Sequence, residues 1–117
     1  MTYQGSCHCG DIAFTVALEP GPAVECNCSI CSRKGLLLWF APRTQFQLST
    51  PEENVASYRF NRHAIDHRFC PRCGCEPFAF ATSPHSGEAM VAVNVRCLEN
   101  VELDAIERKP FDGRHLL

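Results

Sequence analysis

The residues best equipped for chemistry in this 117-residue chain are its nine cysteines. Eight fall in three tight clusters: Cys7-x-Cys9, Cys26-x-Cys28-x-x-Cys31 and Cys70-x-x-Cys73-x-Cys75; Cys97 stands alone. Disulfides explain this pattern poorly. The count is odd, and cysteines two apart on an extended chain point to opposite sides and rarely bridge. A small domain without an export signal reinforces its core with metal instead. Zinc takes four ligands in a tetrahedron and binds thiolates well. In Phe69-Cys70-Pro71-Arg72-Cys73-Gly74 the backbone curls so that two sulfurs reach one ion. Pro71 stiffens that turn, and Gly74 is free to take a positive φ after it. An iron–sulfur cluster is the other chemistry this donor set suits. Spacing leaves the partition open: two closed four-sulfur sites, or four plus three with Cys75 left out. A closed site is structural, whereas three protein ligands leave a position for substrate.

Other candidates carry weaker signals. Cys97 lies in the apolar-spaced run Val93–Leu98 and reads as a small buried hydrophobe. Arg33 and Lys34 follow Cys31 and are suited to attract a carboxylate, although a solvated surface pair is the simpler reading. His63, Asp66 and His67 resemble a helical metal motif that lacks its glutamate. The segment leads straight into the Cys70 turn, so it is read as extended, with His63, Ile65 and His67 on one face. Polar residues at a strand edge are the expectation there, with His63 or His67 as candidate proton donors. His8, between two cysteines, supports them or is exposed. Trp39 and Phe40 line a pocket beside the second cluster or join the core, the commoner fate of such rings. No spacing suggests a nucleophile elbow.

The positioning elements are mostly strands. Ile12, Phe14, Val16 and Leu18 alternate over Asp11–Leu18, which predicts a half-buried strand stopped by Glu19-Pro20-Gly21-Pro22. Further strands are expected at Leu36–Phe40, Ala56–Phe60, Phe78–Ala81 and Ala89–Val93, with a last one over Val101–Ala105. One helical turn is expected from a Ser29 cap through Lys34. The composition, 45% hydrophobic and 21% charged, predicts one globular, mainly β domain over residues 1–117. A net charge of −2 gives no long-range pull toward nucleic acid. No apolar run is long enough for a bilayer, and the N-terminus lacks the features of a signal peptide, so the expected location is the cytoplasm.

Gly5-Ser6-Cys7-His8-Cys9-Gly10, Cys26-Asn27-Cys28-Ser29-Ile30-Cys31 with Gly35, and Phe69-Cys70-Pro71-Arg72-Cys73-Gly74 occur in an order that resembles the glutathione-dependent formaldehyde-activating enzymes. That family includes the centromere protein V-like proteins. Asn94–Leu98 and Phe111-Asp112-Gly113 are similar to its small members. The resemblance implies a β-tent fold of short antiparallel strands with zinc sites and few helices. It implies one structural zinc on Cys7, Cys9, Cys70 and Cys73, and a second, catalytic zinc on Cys26, Cys28 and Cys31. It also implies a carbon–sulfur lyase that joins formaldehyde to the thiol of glutathione. Three thiolates on Zn2+ leave a net charge near −1, a weak Lewis acid that still lowers the pKa of an incoming thiol. Cys75 stands where members usually have another residue, and at the second zinc it would close the open position. The chain is also shorter than the founding enzymes. A non-catalytic, zinc-stabilised binding module is the alternative. A reductase of the same fold would have to work with Cys75 and Cys97.

Overall fold

The computed structural model describes residues 1–60 and 64–116. Its elements, in chain order, are β1 (Thr2–Ser6), β2 (Ala13–Ala17), β3 (Ala23–Cys26), α1 (Ser29–Lys34), β4 (Leu38–Pro42), β5 (Phe46–Leu48), β6 (Ala56–Tyr58), β7 (Asp66–Phe69), β8 (Phe78–Thr82), β9 (Ala89–Asn94), β10 (Arg108–Phe111) and α2 (Gly113–Leu116). The structure is mainly β, as the strand patterns predict. A three-stranded sheet runs β1-β2-β5, and a larger one runs β10-β3-β4-β9-β8-β7-β6. Pairing is antiparallel except at one edge, where β10 lies parallel to β3 with Phe111 opposite Cys26.

The two sheets meet over one apolar layer. Alternation on β2 turns Phe14 and Val16 inward, and Ile12 just before it is fully buried. The larger sheet answers with Trp39, Ala41, Phe78, Phe80, Val91 and Val93. Phe14 and Phe78 pack together in the core with ring centroids 5.8 Å apart, and the partly buried Phe46 closes over them, 4.8 Å from Phe78. Offset and edge-on contacts of this kind suit the ring quadrupoles. The Trp39 indole N–H is satisfied by the Gly21 carbonyl at 2.9 Å.

Several sequence expectations need correction. The Val101–Ala105 segment is a 3-10 turn at Leu103–Ala105, closed by the Ala105 N–H on the Glu102 carbonyl. The strand of the tail is β10, whose residues are all exposed, so no alternation marks it. The strand expected at Leu36–Phe40 starts later, at Leu38, and takes Pro42 as its last residue. Trp39 is core, but Phe40 is exposed. β6 ends at Tyr58 rather than Phe60. β7 is no sheet edge: β6 and β8 flank it, which buries His67. The helix cap is Cys28 rather than Ser29.

Candidate metal centres

Two groups of cysteine sulfurs converge, each with all its sulfurs within 4.8 Å of one another. Cys7, Cys9, Cys70 and Cys73 form the first; Cys26, Cys28 and Cys31 form the second. Cys7 and Cys9 sit in the turn that leaves β1, while Cys70 and Cys73 sit in the turn that leaves β7. The first group therefore joins the small sheet to the large one, across 61 residues of chain between Cys9 and Cys70. Cys7 and Cys9 sulfurs lie 3.7 Å apart, and those of Cys9 and Cys70 3.6 Å. A tetrahedron with zinc–sulfur bonds of about 2.3 Å has sulfurs about 3.8 Å apart, so the donors fit zinc. Backbone amides face these sulfurs: Ile12 N–H on Cys7 at 3.3 Å, and Arg72 and Cys73 N–H on Cys70 at 3.4 Å. The Cys70 turn needs Gly74 at φ 82°, where its N–H reaches the Cys70 carbonyl. Backbone hydrogen bonds from Cys75 and Cys9 bring the Cys73 thiol down to about 5.

The second group is built where β3 of the large sheet gives way to α1. Cys26 ends β3, Cys28 precedes α1, and Cys31 lies within it. Gly35 ends the helix in the left-handed region, φ 66°, with its N–H on the Cys31 carbonyl. These sulfurs do not touch the main core. They pack with Leu36, Ile30 and Leu38 in a small cluster of their own. Burial raises the Cys26 and Cys31 thiols above their ordinary value. Burial also acts on Cys28, but there the Cys31 backbone N–H and the neighbouring thiols outweigh it and set the thiol low. The chain between the sulfurs is tied down from the C-terminal segment. The Asn27 side chain donates to Asp112 at 2.9 Å and accepts from the Arg114 N–H at 2.8 Å.

Beside α1 lies a groove of about 500 Å³, lined by Ser29, Ile30, Arg33, Lys34, Tyr58, Phe60 and Phe69. One wall is thus the helix that carries Cys31, and the other is aromatic. Arg33 faces this groove while donating one N–H to the Ser29 carbonyl at 2.9 Å. Lys34 lies at the surface as expected, but its ammonium is paired, reaching the buried Glu76 carboxylate at 2.8 Å.

The remaining candidates are placed as follows. Cys75 joins neither sulfur group and packs against the main core. Cys97 is partly exposed, and burial pushes its thiol up to about 12. His8 is exposed. Asp66 is held by Ser57 and by Arg59 at 3.2 Å, within the protein's own ion pairs. His63 lies outside the described residues. His67 is buried, with its Nδ1 on Glu76 at 2.8 Å. Sequence reasoning passes over Glu76 altogether, although a carboxylate directly before the apolar run Pro77-Phe78-Ala79-Phe80 was a signal for a buried, paired acid.

Two turns and a short helix, each presenting cysteines, on paired β-sheets define a small mainly β protein with two groups of converging cysteine sulfurs. The chain belongs to the glutathione-dependent formaldehyde-activating enzyme family, whose model matches residues 2–110. It is also similar to the crystal structure of a Rhodobacter sphaeroides protein, at 30% identity and a TM-score of 0.76, over 91% of this chain and 99% of that one. The family supports formaldehyde activation in general. Among the described residues, no helix is long and apolar enough to cross a membrane.

Proposed function

We propose that this chain is a carbon–sulfur lyase that adds the sulfur of a small thiol such as glutathione to formaldehyde or a related small carbonyl. The observation that carries this reading is the unequal pair of sulfur groups, one of four and one of three. Zinc on Cys7, Cys9, Cys70 and Cys73 would be fully ligated and structural. Zinc on Cys26, Cys28 and Cys31 would keep one position at which an incoming thiol gives up its proton and stays nucleophilic. The thiol's S–H adds across the C=O: a carbon–sulfur bond forms, the carbonyl π bond breaks, and a proton ends on the oxygen. No oxidant or reductant is involved.

The protein's own residues supply position. The groove beside α1 receives the body of the thiol, with Ile30, Tyr58, Phe60 and Phe69 covering its apolar part. The remaining N–H groups of Arg33 take a carboxylate. Holding the thiol there converts a bimolecular addition into a local one. Residues 1–117 act as one domain in the cytoplasm on this reading.

The test is adduct formation from glutathione and formaldehyde, followed by NMR exchange with the zinc-loaded protein. Acceleration over the spontaneous rate is expected, lost in Cys28→Ser while one zinc per chain is retained. A rate equal to the spontaneous one with both metals in place would reject the reading and leave a zinc-stabilised binding module.

A further inference from the structure

A chain of three side chains, with His67 and Glu76 buried and Lys34 reaching in from the surface, links the elements that carry the two sulfur groups. Lys34 Nζ donates to Glu76 Oε1 at 2.8 Å, and Glu76 Oε2 lies 2.8 Å from His67 Nδ1. The Glu76 side chain is 2% exposed and that of His67 5%. Each member sits three residues from a clustered cysteine: Lys34 after Cys31, Glu76 after Cys73, His67 before Cys70. Lys34 is thus on the helix of the second group, while Glu76 and His67 flank the turn of the first.

Both ends of the carboxylate are fixed. The Glu76 backbone carbonyl accepts from Asn94 Nδ2 at 3.1 Å, so the main chain cannot swing away. The Lys34 ammonium also lies 5.3 Å from the Phe69 ring centre, on the residue next to Cys70. His67 is stacked on Phe60, with centroids 5.7 Å apart. Among the described residues its Nε2 has no partner. An apolar ring would fill that place without a stranded nitrogen, so the use of the imidazole lies in its Nδ1, which holds Glu76. A buried carboxylate anchored on two sides transmits position, because moving it would strip it of a partner where water cannot replace one.

We propose that the Lys34–Glu76–His67 chain couples the two metal centres: closure of the Cys7/Cys9/Cys70/Cys73 group fixes Glu76 and His67, which hold α1 so that Cys26, Cys28 and Cys31 are arranged for a second ion. Lys34, Glu76 and His67 are positioning residues on this account, acting through the placement of α1. The inference rests on the metal-holding part of the proposed function and not on its chemistry.

The test is a Co2+ titration of the metal-free full chain, read by thiolate-to-cobalt charge-transfer absorption, with a competing chelator to set the affinities. The wild-type chain takes up two ions. Lys34→Met and His67→Phe each weaken the second about tenfold, within the usual range for coupled sites, and leave the first unchanged. The double variant is no weaker than the weaker single one, because both cut the same chain. Glu76→Gln gives the same loss and substitutes for His67→Phe if that variant does not fold. Normal second-ion binding in His67→Phe, with a loss in Lys34→Met, would overturn the proposal, since Lys34 would then act by its own charge. Equal weakening of both ions would overturn it as a general loss of stability. One ion in the wild type would reject the metal reading itself, whereas two uncoupled ions would reject only this inference.

Discussion

The two sulfur groups use the same donor atom in opposite surroundings. Cys7 and Cys70 are part of the main core, beside Ile12 and Phe78. Cys26 and Cys31 belong to a satellite cluster with Leu36, separate from the main core. The first group ties together two sheets and a long loop of chain, so an ion there removes much freedom from the unfolded state. The second ties together neighbouring turns within six residues, which were close already. A short loop gains little from closure, so stability does not explain the second group. Placed beside a groove and one sulfur short of a tetrahedron, it has the layout that the proposed exchange with a thiol ligand requires.

Breaking each group separately makes this contrast measurable. The largest effect is expected for Cys70→Ser. A structural zinc contributes on the order of 10 kcal/mol, comparable with the whole net stability of a small domain. Circular dichroism of this variant should show a chain that is largely unfolded at 25 °C; a cooperative melt near that of the wild type would show that the first group is dispensable. Cys28→Ser comes next in size. It should bind one zinc instead of two and lose activity, while its melting temperature falls by only a few degrees, as expected for about 1 kcal/mol. The smallest effect is expected for Cys75→Ser. Its thiol joins neither group, so metal content should stay at two per chain and stability should change by about 1 kcal/mol or less. Loss of the second zinc in Cys75→Ser would make the second group a closed one and remove the distinction.

Much of this arrangement was legible in the residues, for a physical reason. Cysteine spacing is dictated by turns that present sulfur to an ion, so the clusters carry their geometry in the sequence. The β2 face with Ile12, Phe14 and Val16 was legible too, because one side packs and the other is wet. β10 was not, since it is exposed throughout and owes its existence to β3 alongside it. β1 was passed over as well: Tyr3 and Gly5 point inward, but Gly5 carries no side chain to show it. His67 was misread because its burial depends on β6 and β8 flanking β7, a tertiary fact. Its partnership with Glu76 and Lys34 spans 42 residues between the lysine and the acid, and no local pattern records a contact at that distance.

The inequality of the two groups is tested most directly by crystallography of the zinc-loaded chain, with the ions located by anomalous scattering at the zinc edge. Two zinc ions per chain are expected. The first should have four sulfur ligands, from Cys7, Cys9, Cys70 and Cys73, and the second three, from Cys26, Cys28 and Cys31, with its fourth ligand from outside the protein. A second zinc whose fourth ligand is Cys75 or any other side chain of this protein would contradict the account.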